Sequence, residues 1–279
     1  MAISNQTRTR VKKMGEPVAL FLGRLGLSPD ALTLLGFGIT GVGAVLVAGQ
    51  QWLAGGVVIF VGAVFDMFDG ALARATGRVS KLGAFLDSVF DRCGEAVVYV
   101  GLVWGTLDLG LWRPVVLAAA AMAAAFMVSY TRAKSEGLGF SSGSGMAAVG
   151  LAPREVRTVI LTVGLLAAGI LPGLPRDTSG AGGGAYPLSA IALEVALGLI
   201  AVLATITVVQ RILHTRAEAG RQARAEAMTA ATDALTEQLA RAAAATANAR
   251  PADGTARGRD ASSPAPGEPR SPGPADRPA

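Results

Sequence analysis

Four aspartates within 26 residues are the side chains of this sequence best suited to chemistry. Asp66 and Asp69 stand three residues apart at the end of one apolar run, and Asp87 and Asp91 stand four apart at the start of the next. On α-helices, these spacings place each pair on one helix face. If the two helices are antiparallel neighbours, the short link over residues 76–82 brings the two pairs together.

The surroundings of these carboxylates indicate what they bind. The flanking sequence is apolar enough to lie in a membrane, where each isolated carboxylate costs roughly 3 kcal/mol and four would cost on the order of 10 kcal/mol. Mg²⁺ takes oxygen ligands and is usually held by a few carboxylates together with substrate phosphates. We therefore predict a divalent metal centre at the membrane boundary.

The composition is that of a polytopic membrane protein. The chain has 279 residues, of which 51% are hydrophobic and 16% charged, with a mean hydropathy of +0.46. An ordinary soluble domain carries about 25% charged residues. The net charge of +5 does not indicate nucleic-acid binding, because the cations flank apolar runs and no nucleic-acid motif accompanies them.

Six apolar runs approach the roughly 20 residues that a helix needs to cross a bilayer, and they predict an all-α integral membrane protein. The runs are Ala31 to Ala48, Leu53 to Ala73, Gly83 to Leu107, Pro114 to Arg132, Val156 to Leu174 and Pro187 to Ile212. They define a six-helix domain over residues 28–213. Lys and Arg concentrate in alternate links, which predicts that both termini and the aspartates are cytoplasmic.

Three further segments differ from this domain in composition. Residues 1–27 are basic and then amphipathic, which predicts a helix lying in the membrane interface. Residues 214–250 are Ala-rich and charged, which favours a surface helix. Residues 251–279 are rich in Pro, Gly and Arg and are predicted to be a disordered tail, because they offer nothing to bury in a core.

The residues around the aspartates carry a specific resemblance. The pattern D-x2-D-G-x2-A-R-x8-G-x3-D-x3-D is matched without a gap by Asp66, Asp69, Gly70, Ala73, Arg74, Gly83, Asp87 and Asp91. This resembles the signature of the CDP-alcohol phosphatidyltransferase family. The resemblance implies a membrane enzyme that uses a CDP-linked lipid, two Mg²⁺ ions with Mn²⁺ as an alternative, and a homodimeric assembly.

The resemblance also implies a role for each residue of the motif. Asp66, Asp69, Asp87 and Asp91 would be metal ligands, and Asp91 would also be the general base that takes the acceptor's hydroxyl proton. The CDP-lipid would be bound by Asp69, Gly70, Ala73, Arg74 and Gly83. The small residues leave room for the nucleotide, and an arginine can bind a phosphate through two hydrogen bonds.

A second group of polar residues lies at helix ends on the same predicted side of the membrane. It consists of three segments, over residues 129–134, 153–157 and 210–211. Several converging cations suit a doubly charged phosphate on the acceptor alcohol. These segments resemble the family branch that contains the phosphatidylinositol phosphate and archaetidylinositol phosphate synthases, which implies that inositol phosphate is the acceptor. The resemblance also implies that its phosphate would be held by Ser129, Arg132, Lys134, Arg154 and Arg211.

Other functions stay open at this point. Glycerol phosphate would use the same cations, which would make the protein a phosphatidylglycerol phosphate synthase. In a different class, the aspartates would be the relay of an intramembrane cation or proton transporter. Transporters tend to place such groups near the midplane and to contain internal repeats, whereas here the aspartates lie at one edge and no repeat is evident.

Overall fold

The computed structural model describes residues 17–18, 20–140, 149–172 and 187–248, and every regular element within them is helical. Its long helices, in chain order, are α1 (Pro29–Ala48), α2 (Trp52–Ala75), α3 (Lys81–Asp108), α4 (Trp112–Gly137), α5 (Arg154–Ile170) and α6 (Leu188–Asn248). The prediction of an all-α protein is confirmed for this part of the chain.

Local signals in the sequence explain where two of the helices begin. At α1, Ser28 Oγ accepts a hydrogen bond from Ala31 N at 3.1 Å, and Pro29 occupies the first turn. At α3, Ser80 Oγ accepts one from Gly83 N at 2.9 Å. The second cap fixes the start of the helix that carries two of the four aspartates.

Small residues let the first helices approach closely. A Cβ atom added to Gly55 of α2 would lie 2.6 Å from Val47 Cγ2 of α1, and one added to Gly43 of α1 would lie 3.0 Å from Ile59 N of α2. A cluster of buried apolar side chains includes residues of all six helices, for example Ala44, Trp52, Leu102, Ala121, Leu165 and Leu197. The helices therefore share one core.

Four of the described helices, α1, α2, α4 and α6, are long and apolar enough to cross a bilayer. Of the other two, α5 has 17 residues, and α3 contains Asp91, Arg92 and Glu95 within its apolar sequence. Large apolar side chains also point outward, including Val45, Trp104 and Ile170, which are 72%, 69% and 71% exposed. The chain is a membrane protein, and the count of six spans stays a prediction.

The chain divides into two units, Met1–Ala223 and Arg224–Ala279. In the first, residues 20–24 are helical within the predicted interfacial segment, and Phe21 and Leu25 are exposed. Residues 1–16 of that segment lie outside the described residues. In the second unit, residues 224–248 are helical, with exposed side chains as far as Ala245, while the predicted disordered tail over residues 251–279 is not described.

Candidate active site

Arg154, the first residue of α5, joins the two aspartate-bearing helices. Its Nη2 donates to Asp66 Oδ2 of α2 at 2.6 Å, and its Nη1 forms an ion pair with Asp91 Oδ1 of α3. All three side chains are largely removed from solvent, at 25%, 12% and 16% exposed. A residue predicted to bind the acceptor is thereby brought against two residues predicted to bind metal.

The packing of α1 positions Asp66 and Asp91. Gly36 of α1 lies so close to Asp66 that an added Cβ atom would collide with Asp66 Oδ1, so the carboxylate occupies the space that a side chain would fill. The neighbouring Phe37 packs against Phe90 of α3, with ring centroids 5.2 Å apart. Since Phe90 immediately precedes Asp91, this contact fixes α3 beside the same glycine.

Asp69 is held by a different contact with α1. Thr33 Oγ1 donates to Asp69 Oδ2 at 2.6 Å, and Gly70 N donates to Asp69 Oδ1. The Asp69 side chain is buried, at 6% exposed. These two donors satisfy one lone pair on each carboxylate oxygen and fix the direction in which the others point.

The four carboxylates lie within electrostatic range of one another. Asp87 is half-buried and interacts with the charges of Asp66, Asp69 and Asp91. Like charges gathered in a poorly solvated site repel unless a cation neutralises them. Arg154 supplies one such positive charge and interacts with Asp87 as well as with its two direct partners.

The donor set fits a divalent metal, because carboxylate oxygens are the ligands that Mg²⁺ and similar cations prefer. Within the described part of the chain, no three or more His, Cys, Asp or Glu side chains lie together in a group that could hold a metal ion. The physical reason is visible in the contacts: Asp66 and Asp91 are turned toward Arg154, and Asp69 toward Thr33. The four-aspartate metal site therefore stays a prediction.

The residues predicted to bind the CDP-lipid lie on both sides of the link between α2 and α3. The guanidinium of Arg74 lies against Gly70, where an added Cβ atom would be 3.1 Å from Arg74 Nη1. Ala73 is half-buried and Arg74 is exposed. A Cβ atom on Gly83 would be 3.1 Å from Ser80 Oγ and 3.4 Å from Asp30 Oδ1, so space beside that residue is limited.

Arg211 of α6 is buried, at 4% exposed, and binds backbone oxygens. Its Nε donates to Val149 O at 3.1 Å, and its Nη1 donates to Val128 O of α4. It also interacts with the charges of Arg132 and Arg157. The structure thus places this cation where α4, α6 and the segment before α5 meet.

The remaining predicted acceptor residues all lie near the end of α4. Arg132 Nε forms an exposed ion pair with Glu136 Oε1 at 3.0 Å, and Ser129 Oγ donates to Ala125 O at 3.2 Å. Lys134 is exposed. Among the described residues, Arg154 is the one predicted acceptor residue that directly contacts motif aspartates.

Three further residues at the site were not identified as site residues from the sequence. Thr33 binds Asp69, and Glu95 binds Arg157 through two hydrogen bonds of 2.9 and 3.0 Å. Glu95, Arg154 and Arg157 also line a small cavity between α1, α2, α3 and α5. The available signal was the position of Glu95, a charged residue one helical turn after Asp91 inside an apolar run.

The family is decided by the match to the whole helical domain. Residues 27–215 match the family model described as CDP-alcohol phosphatidyltransferase. The chain belongs to this family. The resemblance carried by the aspartate motif is confirmed, and the CDP-alcohol phosphatidyltransferase is an enzyme that transfers a substituted phosphate group.

Similar sequences place this phosphatidyltransferase near one branch of the family. It is 32% identical over 212 residues to the archaetidylinositol phosphate synthase of Pyrococcus horikoshii, which covers 76% of this chain and 96% of the relative. It is 35% identical over 220 residues to the phosphatidylinositol phosphate synthase of Mycolicibacterium smegmatis, which covers 77% of this chain and 89% of the relative.

Solved structures of the Mycobacterium tuberculosis phosphatidylinositol phosphate synthase have a similar fold. The structure with CDP-DAG bound matches the phosphatidyltransferase with a TM-score of 0.60 at 30% identity, covering 73% of this chain and 94% of that chain. The structure in complex with manganese and citrate matches with a TM-score of 0.59 at 30% identity, covering 72% and 88%.

Proposed function

We propose that the enzyme transfers the phosphatidyl group of CDP-diacylglycerol to a hydroxyl of inositol phosphate and releases CMP. The names of the similar synthases support the acceptor, and the CDP-DAG bound to the M. tuberculosis relative supports the donor. One observation on this chain carries the proposal. Arg154, which can bind a phosphate, lies against Asp91, which can accept a hydroxyl proton. The phosphate and the reacting hydroxyl of one acceptor molecule would therefore each have a binding partner.

The reaction is a displacement at phosphorus. The acceptor hydroxyl oxygen attacks the phosphorus next to the diacylglycerol, and the bond from that phosphorus to the CMP oxygen breaks. The hydroxyl proton passes to a carboxylate oxygen of Asp91, which is the proposed general base. CMP keeps the bridging oxygen and leaves as an anion.

We assign the divalent ions, Mg²⁺ or Mn²⁺, to Asp66, Asp69, Asp87 and Asp91. When bound there, such ions neutralise the charge of the pyrophosphate and of the departing CMP. The manganese in the second M. tuberculosis structure supports a divalent cation in this family. Gly70, Ala73, Arg74 and Gly83 are assigned to the CDP group, because they adjoin these carboxylates along α2 and α3.

We assign Arg211, Ser129, Arg132 and Lys134 to the acceptor phosphate together with Arg154. Arg211 is the best supported of the four distal residues. It is buried, and its hydrogen-bond acceptors are backbone carbonyl oxygens. These oxygens carry no net charge, so they do not neutralise the guanidinium. A buried, weakly neutralised guanidinium is suited to an anionic ligand.

The proposal includes a location and an assembly. We place the active site and both termini in the cytoplasm, because basic residues adjoin this end of the helices, and we propose a homodimer from family membership. Single cysteines at Arg78→Cys and Asp108→Cys, in a Cys93→Ala background, test the orientation in sealed cells. A reagent that cannot cross the membrane should label the second and not the first, and the reverse pattern contradicts this orientation.

Release of CMP from CDP-diacylglycerol by the purified protein tests the function. The assay compares inositol phosphate, inositol, glycerol phosphate and no acceptor, each with Mg²⁺, with Mn²⁺ and with a chelator. We expect CMP with inositol phosphate and a divalent ion. Release with glycerol phosphate alone would replace the proposed acceptor, and no release with any alcohol would overturn the proposed enzyme.

A further inference from the structure

A buried ion pair lies directly behind the candidate site. Arg157 of α5 is 2% exposed, and its Nε and Nη2 bind Glu95 Oε1 and Oε2 of α3 at 2.9 and 3.0 Å. Its Nη1 donates to Ala152 O at 2.9 Å. The guanidinium therefore holds α3 on one side and the segment preceding α5 on the other.

The Glu95–Arg157 ion pair lies about one helical turn further along α3 and α5 than the Asp91–Arg154 ion pair. Glu95 follows Asp91 by four residues on α3, and Arg157 follows Arg154 by three on α5. Residues with these spacings lie on one helix face, about 4.5 to 6 Å apart along the axis. Two ion pairs, Asp91 with Arg154 and Glu95 with Arg157, thus join the same two helices in the same register.

The start of α5 depends on this pair for a physical reason. Its N-cap residue is Pro153, and no side-chain capping hydrogen bond occurs there among the described residues. The segment before it is held instead from α6, because Leu151 N and Ala152 N donate to Thr207 Oγ1 at 3.1 and 3.0 Å. Ala152 is therefore held through its N–H by Thr207 and through its carbonyl by Arg157.

Burying a charged pair gains little stability, because the cost of desolvation offsets the attraction between the charges. What a bidentate pair provides is a fixed geometry, since both oxygens and both nitrogens must align. Glu95 is aligned further by Arg92, whose Nη1 lies 3.0 Å from Glu95 Oε2. The main effect of the contact between Glu95 and Arg157 is therefore to fix the position of the first turn of α5 relative to α3.

We propose that Glu95 and Arg157 are positioning residues for the transferase reaction. They hold α5 against α3 so that the guanidinium of Arg154 faces Asp66 and Asp91, and they thereby control binding of the phosphorylated acceptor. Neither residue touches a substrate in this arrangement. The inference rests on the proposed role of Arg154 in binding the acceptor phosphate.

Kinetics of Arg157→Gln and Glu95→Gln test this role. A small displacement of Arg154 weakens acceptor binding, so we expect the KM for inositol phosphate to rise on the order of tenfold. The KM for CDP-diacylglycerol should stay within about twofold, since Gly70 and Arg74 lie on α2, which carries neither residue of the pair. Arg157→Lys should recover part of the loss by restoring the charge, though not the bidentate contact.

A double-mutant cycle separates positioning from a general structural role. If Arg157 acts through Arg154, Arg157→Gln should have little further effect on the KM for inositol phosphate once Arg154→Ala is present. Independent, multiplying effects of the two changes would overturn the inference. So would equal increases in the KM of both substrates, or a lowered melting temperature with unchanged KM values.

Thr207→Val tests the same segment independently, because it removes the hydroxyl that accepts hydrogen bonds from Leu151 N and Ala152 N. Thr205→Val is its matched control. Thr205 is exposed, and its Oγ1 donates to Ala201 O within the same helix at 2.8 Å. We expect only Thr207→Val to raise the KM for inositol phosphate. Equal effects of both substitutions would count against the inference, and a wild-type protein that releases no CMP with any acceptor would overturn the proposed function and the inference together.

Discussion

Arg154 pairs with Asp91 across the junction of α5 and α3, and the same guanidinium donates to Asp66 of α2 at 2.6 Å. One guanidinium thus binds two of the carboxylates that are proposed to bind the divalent ions. A guanidinium and a metal ion cannot bind the same lone pairs at once. At these two oxygens Arg154 therefore competes with the proposed metal ions, while the remaining lone pairs of Asp66 and Asp91 stay available to them.

The first prediction concerns this competition. Arg154→Ala should tighten binding of Mn²⁺ in the absence of substrates, because Asp66 and Asp91 no longer have a competing cation. An increase in affinity of a few-fold to tenfold corresponds to about 1 kcal/mol. Electron paramagnetic resonance of free Mn²⁺ during a titration measures the change.

Arg78→Ala is the matched control for that titration. Arg78 is an exposed cation in the link after α2, so its removal changes the net charge equally without touching the carboxylates. Both variants should be compared at two salt concentrations, because salt screens the long-range effect of the lost charge more than the direct one. Equal tightening in both variants would contradict direct competition by Arg154.

The second prediction concerns Asp91, the proposed general base. Asp91→Asn should reduce turnover by a factor on the order of 10² to 10⁴, because an amide cannot accept the hydroxyl proton. Binding of CDP-diacylglycerol should be largely retained, as measured by equilibrium binding of a labelled donor. Asp108→Asn is the control, since Asp108 is exposed at the other end of the same helix and accepts a hydrogen bond from Gln50 at 2.6 Å. Normal turnover in Asp91→Asn would remove this assignment.

The third prediction concerns Arg211. Arg211→Ala should raise the KM for inositol phosphate far more than the KM for CDP-diacylglycerol, because its charge is assigned to the acceptor. Arg216→Ala, five residues further along α6 and exposed, should leave both values near those of the wild type. A parallel increase in both KM values for Arg211→Ala would instead assign Arg211 to packing, through its contacts with Val128 and Val149.

The sequence was sufficient to predict those parts of the site that depend on spacing along one helix. Asp66 with Asp69, and Asp87 with Asp91, follow from helical periodicity, and the apolar runs predicted the helices that carry them. The position of Arg154 at the start of a helix was also predicted. Its placement between Asp66 and Asp91 was not, because that contact joins residues 88 apart in the chain.

Contacts between distant segments account for what the sequence did not reveal. Thr33 and Asp69 are 36 residues apart, and Glu95 and Arg157 are 62 apart. Neither pair has a local pattern, since each depends on how closely two helices pack. The composition change near residue 213 likewise suggested a new segment, whereas one helix, Leu188–Asn248, continues through it, because Ala, Arg and Glu are good helix formers.

The fourth prediction concerns the close approach of α1 to Asp66. Gly36→Ala places a methyl group where Asp66 Oδ1 now lies, so the carboxylate must move or α1 must shift away from α2. A displacement of about 1 Å at a catalytic group can cost on the order of 10²-fold in rate. We expect a large loss of kcat and weaker Mn²⁺ binding, measured by CMP release and by metal titration.

Gly38→Ala is the control that separates this effect from a general intolerance of α1 to alanine. No atom lies within 4 Å of a Cβ added there among the described residues, and alanine favours the helix by about 1 kcal/mol relative to glycine. Gly38→Ala should therefore retain activity and melt at the same or a higher temperature. If Gly36→Ala behaves in the same way, Asp66 has room to move without loss of function, and its present position is not required for catalysis.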